Sequence, residues 1–164
     1  MIWVEAPSSE FVKWMAYELN GRAMMHAITA NMSQRFNEGL MHAYWSSYHK
    51  LEEFSRPQYE RVAKVFEIEL LDKFFILIKS RVICWLPDCV IPLILTGLRK
   101  RTVAYVERLR WLAEIGPAEE REFFEYMVRQ ELLQVKLMDL ALGKEYQLAS
   151  HLVERFINQE SAVS

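Results

Sequence analysis

Glu131 stands in the stretch "EYMVRQELLQVKLMDLAL", residues 125–142, where Phe124, Met127, Val128, Val135, Met138 and Leu142 recur at helical spacing. At 100° per residue these side chains form one apolar stripe, and Glu131 falls inside it with Gln134 near its edge. A carboxylate there costs several kcal/mol unless it is paired, hydrogen-bonded or protonated. Its chemistry is therefore one of three kinds: a metal ligand, a general acid or base of raised pKa, or a buried acid with a protein partner.

Three further sets of residues bear on that choice. Glu18 lies at the margin of a second stripe, Trp14, Tyr17, Gly21, Met25, Ile28 and Met32, with Arg22 one turn on. A Glu18–Arg22 pair on the rim of that helix is the simplest expectation. Lys73 falls between Phe66, Leu70 and Leu77. It is either the buried cation for an inward Glu or a side chain whose stem covers apolar surface while its amine reaches water. His42, His49 and Glu53 share a face at i, i+7 and i+11. A histidine and a carboxylate at i,i+4 suit zinc or iron, but without a third ligand a solvated polar face is the expectation.

The elements that must carry these residues are helices. Pro7-Ser8-Ser9 offers an N-cap for a first helix from about Glu10 to Gln34, and Asn37 for a second from Glu38 to Phe54. "SRPQ", Ser55 to Gln58, has the form of a capping box with Pro57 in the first turn, which starts a third helix reaching Val82 unless the second and third are one element kinked at Pro57. That third helix is apolar nearly all round and is expected at the centre of its bundle. Asp88 opens a fourth helix to Ile115, Gly116-Pro117 separates it from a fifth ending at Gly143, and a sixth runs from about Glu145 to Gln159. No alternating pattern bounded by turns suggests strands. Short connections make neighbours antiparallel, so the chain predicts an all-α antiparallel bundle of about six helices in one domain, residues 1–164.

Composition narrows the functions. With 20 basic and 22 acidic residues the chain lacks the basic footprint of a nucleic-acid binder. "FFILIKSRVICWLPDCVIPLILTGL" is interrupted by Lys79, Arg81, Asp88 and Pro87, so no membrane span is expected. Cys84 and Cys89 are expected as free thiols. "MIWVEAPSSE" has neither the basic nor the apolar region of a signal peptide, and a cytoplasmic location is the expectation.

From Glu122 to Ile157, "EFFEYMVRQELLQVKLMDLALGKEYQLASHLVERFI" resembles the last long helix and trailing helix of ferritin-like bundles. The resemblance implies a four-helix core in which inward Glu residues and Glu-x-x-His motifs hold two iron or manganese ions, with Glu131 in such a motif and Glu18 as the single Glu of the first helix. Gln134 stands where that motif has His. Thr102, Tyr105 and Leu109 face the core of the fourth helix where a carboxylate would be needed, and Glu69 and Asp72 have the wrong side of the third.

The expected function is accordingly association, as a homo-oligomer or with a protein partner, around a metal-free polar core of Glu131, Gln134 and Lys73 and with no cofactor. Trp45 and Trp111, displaced from their stripes, are candidates for an interface. The alternatives are a ferritin-like oxidoreductase or oxygenase using an iron or manganese pair at Glu18 and Glu131, a metal-free enzyme with Glu131 as general acid or base, and an apolar small-molecule site among Met24, Met25, Met127 and Met138.

Overall fold

The computed structural model describes residues 8–163, and no strand occurs among them. Six helices follow one another: α1 (Ser9–Arg35), α2 (Gly39–Val65), α3 (Lys73–Cys84), α4 (Ile91–Ile115), α5 (Arg121–Leu142) and α6 (Tyr146–Val163), with one 3-10 turn, Ala118–Glu120, leading into α5. The chain is an all-α helical bundle. None of these helices is long and apolar enough to cross a membrane. The expectation about a signal peptide concerns Met1 to Pro7, which lie outside the described residues.

Packing follows from the short connections. α1 pairs with α2 and α4 with α5, α6 lies against α2 and α5, and α3 rests on α1. Two apolar clusters fill the interior. One joins Phe11, Met15, Leu19, Val62, Leu109 and Phe124; the other joins Tyr44, Trp45, Tyr48, Leu51, Leu137 and Val153. Between them each long helix of the two hairpins contributes polar residues, so a polar layer crosses the middle of the core.

Three sequence expectations are corrected. α2 does not stop at Ser55 but continues through Pro57 to Val65. Ser55 is a buried helix-interior residue whose hydroxyl bonds back to the Leu51 carbonyl at 2.8 Å and meets the Tyr126 hydroxyl at 2.6 Å. An interior proline costs about 3 kcal/mol. Burying Tyr59, Val62 and Ala63 beyond it offsets this, at about 1.5–3 kcal/mol for a large apolar side chain.

The real break comes at Phe66. Ile68 donates to the Ala63 carbonyl at 2.9 Å while Glu67 takes a left-handed φ of 52°, a helix-ending hydrogen-bond pattern usually built on glycine. With Glu in that place the stop leaves no sequence signal. α3 is therefore short and starts at Asp72, whose side chain accepts from the Phe74 N–H at 2.6 Å.

α3 is also peripheral rather than central. It buries Ile76, Ser80 and Cys84 against its neighbours and turns Phe74, Ile78, Val82 and Trp85 to solvent. The interface candidate Trp45 is buried, stacked on Tyr48 with rings 3° from parallel, and Trp111 is half-buried beside Arg108.

The α4–α5 connection depends on Gly116. A Cβ there would meet the fully buried Phe124 ring at 2.3 Å, and that ring is held by Phe11, Phe66 and Phe123. Gly116→Ala is expected to cost about 1–3 kcal/mol through overpacking. Denaturant titration of the variant checks it, and an unchanged midpoint would show that Phe124 yields freely.

Candidate polar-core site

The polar layer is organised by Arg22. It lies in α1 one turn beyond Glu18, which puts both side chains on the inward face, and both are buried. The guanidinium approaches three carboxylates from three helices: Nε to Glu18 at 3.3 Å, Nη1 to Glu52 of α2 at 3.1 Å and Nη2 to Glu131 of α5 at 3.1 Å. Nη2 also donates to Gln134 Oε1 at 3.0 Å, and the Gln134 amide donates in turn to Glu52 Oε1 at 3.0 Å. Two phenols complete the layer. Tyr59 donates to Glu18 at 3.3 Å and Tyr105 of α4 to the same carboxylate at 3.0 Å.

The sequence candidates fare differently. Glu18, Glu131 and Gln134 come together as core residues. Glu18–Arg22 is a buried pair instead of a rim pair. Lys73 is exposed at the start of α3, and the cation of the core is Arg22. Glu52 is the acid that sequence reasoning missed. Thr102 and Tyr105 are on the inward side of α4, Thr102 buried and Tyr105 half-buried, whereas Glu107 is outside.

The carboxylates are unequally satisfied. Glu18 accepts from two tyrosines besides facing Arg22, while Glu131 accepts a single hydrogen bond, from Arg22. Burial pushes Glu131 from its ordinary 4.5 up to about 7; Arg22 opposes this, and Glu18 and Glu52 add to it. Burial also raises Glu52, against the pull of Arg22. One guanidinium faces three acids, so holding a proton on the least-bonded one is the cheapest way to limit buried charge.

A cavity of about 540 Å³ opens between α1, α2 and α3, and its wall includes Arg22, His26, Glu52 and Arg56. Glu131 is buried and is not on that wall. Met127 and Met138 are packed in the core and Met24 and Met25 are half-buried, and none of the four lines the cavity.

The donor set does not fit an iron or manganese pair. Its members are Glu18, Glu52 and Glu131 with no imidazole, and a guanidinium already stands among them. No protein-family model, curated protein or solved structure matches the chain.

An acid with a raised folded-state pKa holds more protons folded than unfolded between about pH 4.5 and 7, so stability falls as pH rises through that window. Urea titrations at about pH 5 and about pH 8 should show a loss of a few kcal/mol in wild type. Glu131→Gln should flatten it and be at least as stable at about pH 8. Arg22→Met should lose about 3–5 kcal/mol at about pH 8 and less at about pH 5. A Glu131→Gln variant as pH-sensitive as wild type would assign the titration elsewhere.

Proposed function

We propose that this protein works by association, and that its immediate partner is a second copy of the chain, paired through α3 around a bundle whose core stays free of metal. The observation that carries the reading is the outer face of α3. Phe74, Ile78, Val82 and Trp85 recur at i, i+4, i+8 and i+11 and are 70, 48, 61 and 86% exposed. That is the spacing of a helix-pairing seam, here turned away from the protein's own core. Phe74, Phe75, Ile78, Val82 and Trp85 together offer on the order of 700 Å², within the range one partner contributes to a standard stable interface.

Charge selects the occupant. Exposed Glu67, Glu69 and Asp72 lie with Lys73 at the N-terminal end of the stripe and leave it net acidic, and exposed Lys79 and Arg81 flank its second half. Two copies paired antiparallel about a two-fold axis place each acidic end beside the other's basic half. An anionic bilayer would meet the acidic end as well as the basic one, so it complements the stripe less well. The inward Glu18 and Glu131 belong in this reading to a structural network closed by Arg22, which specifies how the two hairpins meet, and a ferritin-like relationship would extend to the double-hairpin arrangement but not to its metals.

Sedimentation equilibrium of the full chain is expected to show a dimer, and Ile78→Glu a monomer with unchanged helicity. Arg81→Glu should raise the dimer dissociation constant about tenfold, equivalent to about 1.4 kcal/mol. A wild-type monomer overturns the proposal. Flotation of that monomer with phosphatidylserine vesicles, abolished by Ile78→Glu, would assign the face to a bilayer instead.

A further inference from the structure

We propose that His26, His49 and Glu53 form a binding site for a divalent transition-metal ion of the zinc class, on the outer side of the α1–α2 pair. His49 and Glu53 are one turn apart on α2, and α1 supplies His26 as the third ligand. Among the described residues these are the three ligating side chains that converge, their ligand atoms all within 4.8 Å of one another. His26 Nε2 contacts Glu53 Oε1 directly, His49 Nε2 lies 3.9 Å from the same oxygen, and the two imidazole rings are 5.0 Å apart. An ion with bonds of about 2.0–2.2 Å needs its ligand atoms about 3.3 Å apart in a tetrahedron. Small side-chain adjustments meet that requirement.

The hydrogen bonding prepares one of the nitrogens. Thr29 Oγ1 donates its only proton to the His26 carbonyl at 3.1 Å and lies 3.2 Å from His49 Nδ1. While that proton goes to the carbonyl, the hydroxyl accepts from Nδ1–H, the tautomer in which Nε2 presents a bare lone pair toward Glu53 and His26. A ligand histidine held by a donor bond from its other nitrogen is the usual support of a metal site. Both histidines are about a quarter exposed and Glu53 about half, which leaves room for water at the remaining positions. His26 also belongs to the wall of the 540 Å³ cavity, so the ion would sit at its edge. Arg56, 3.9 Å from Glu53 Oε1, competes for this carboxylate, but its closer partner is Glu60 at 2.7 Å. Imidazole–imidazole–carboxylate coordination suits zinc, and cobalt(II) as its spectroscopic substitute.

The test is calorimetric titration of the chelator-treated full chain with zinc chloride, together with the visible absorption of the cobalt(II) form. One equivalent should bind, and His26→Gln and His49→Gln, on different helices, should each weaken binding on the order of a hundredfold or more, with helicity unchanged. Thr29→Val touches no metal, yet should weaken binding at least about tenfold by releasing the tautomer. Glu131→Gln should leave affinity unchanged. Absence of stoichiometric binding overturns the proposal, as does binding that survives both histidine variants or disappears only in Cys89→Ser, which would mean adventitious capture by the exposed thiol. If one histidine variant misfolds, the other decides. The dimer measurement is independent, so either proposal can fail alone.

Discussion

The structure depends on a single buried cation. Arg22 brings its guanidinium within 3.3 Å of carboxylates from α1, α2 and α5, and nothing else among the described core residues offsets their charge. Removing water from four ionisable groups costs several kcal/mol for each ion kept charged, and the attraction returns this only where the hydrogen-bond geometry is good. The geometry here constrains the helices in turn. α1 must present Arg22 at the depth where α2 presents Glu52 and α5 presents Glu131 and Gln134. Apolar residues above and below tolerate sliding far better than this layer does, because a Leu touches any neighbour while a guanidinium needs acceptors in its plane.

That constraint explains the division of the interior into two clusters. Along α5 the apolar run Phe123–Met127 gives way to Gln130, Glu131 and Gln134 and resumes at Leu137. α2 shows the same order reversed, from Tyr44 through Glu52 and Ser55 to Tyr59 and Val62, as an antiparallel neighbour must. The polar layer and its flanking clusters therefore lie at one level in every helix of the two hairpins. With both hairpins closed by their own residues, α3 finds no groove to fill. It packs one side on α1 and leaves the other apolar side in water, an arrangement whose free energy improves on meeting a matching surface.

Helix number, helix type and the inward position of Glu131 were legible because they rest on period and on glycine and proline punctuation. The misplaced ends of α2 and α3 share one origin at Pro57. Ending α2 at Phe54 cuts its inward face short of Ser55, Tyr59 and Val62. Continued to Val65, the face becomes Tyr44, Tyr48, Leu51, Ser55, Tyr59 and Val62, with Glu52 within it. The same error joined Val62 and Phe66 to the residues of α3 and made a peripheral helix look central. The true stop, left-handed Glu67, is held by tertiary packing and has no local signature. Lys73 was a reasonable cation on hydrophobic spacing alone, but its helix starts outside the core. Spacing puts Arg22 at the rim, because a stripe margin does not reveal which neighbouring helix will cover it.

The outer and inner faces of the α1–α2 pair answer to one register. Arg22 and His26 are a turn apart on one face of α1, and Glu52 and Glu53 are adjacent on α2, so the buried Arg22–Glu52 contact and the more exposed His26–Glu53 contact hold the same α1–α2 register. A slip of one turn, 5.4 Å, would break both contacts together. The inner contact is buried and forms with the core. The outer one is solvated, and on its own contributes at most about 1 kcal/mol. An ion bound to His26, His49 and Glu53 would change that balance, since coordination joins the two helices at the point where the buried pair already sets their depth. It would stabilise the register that the core requires and no other, which is the condition for ligand binding outside the core to reinforce the polar layer within it.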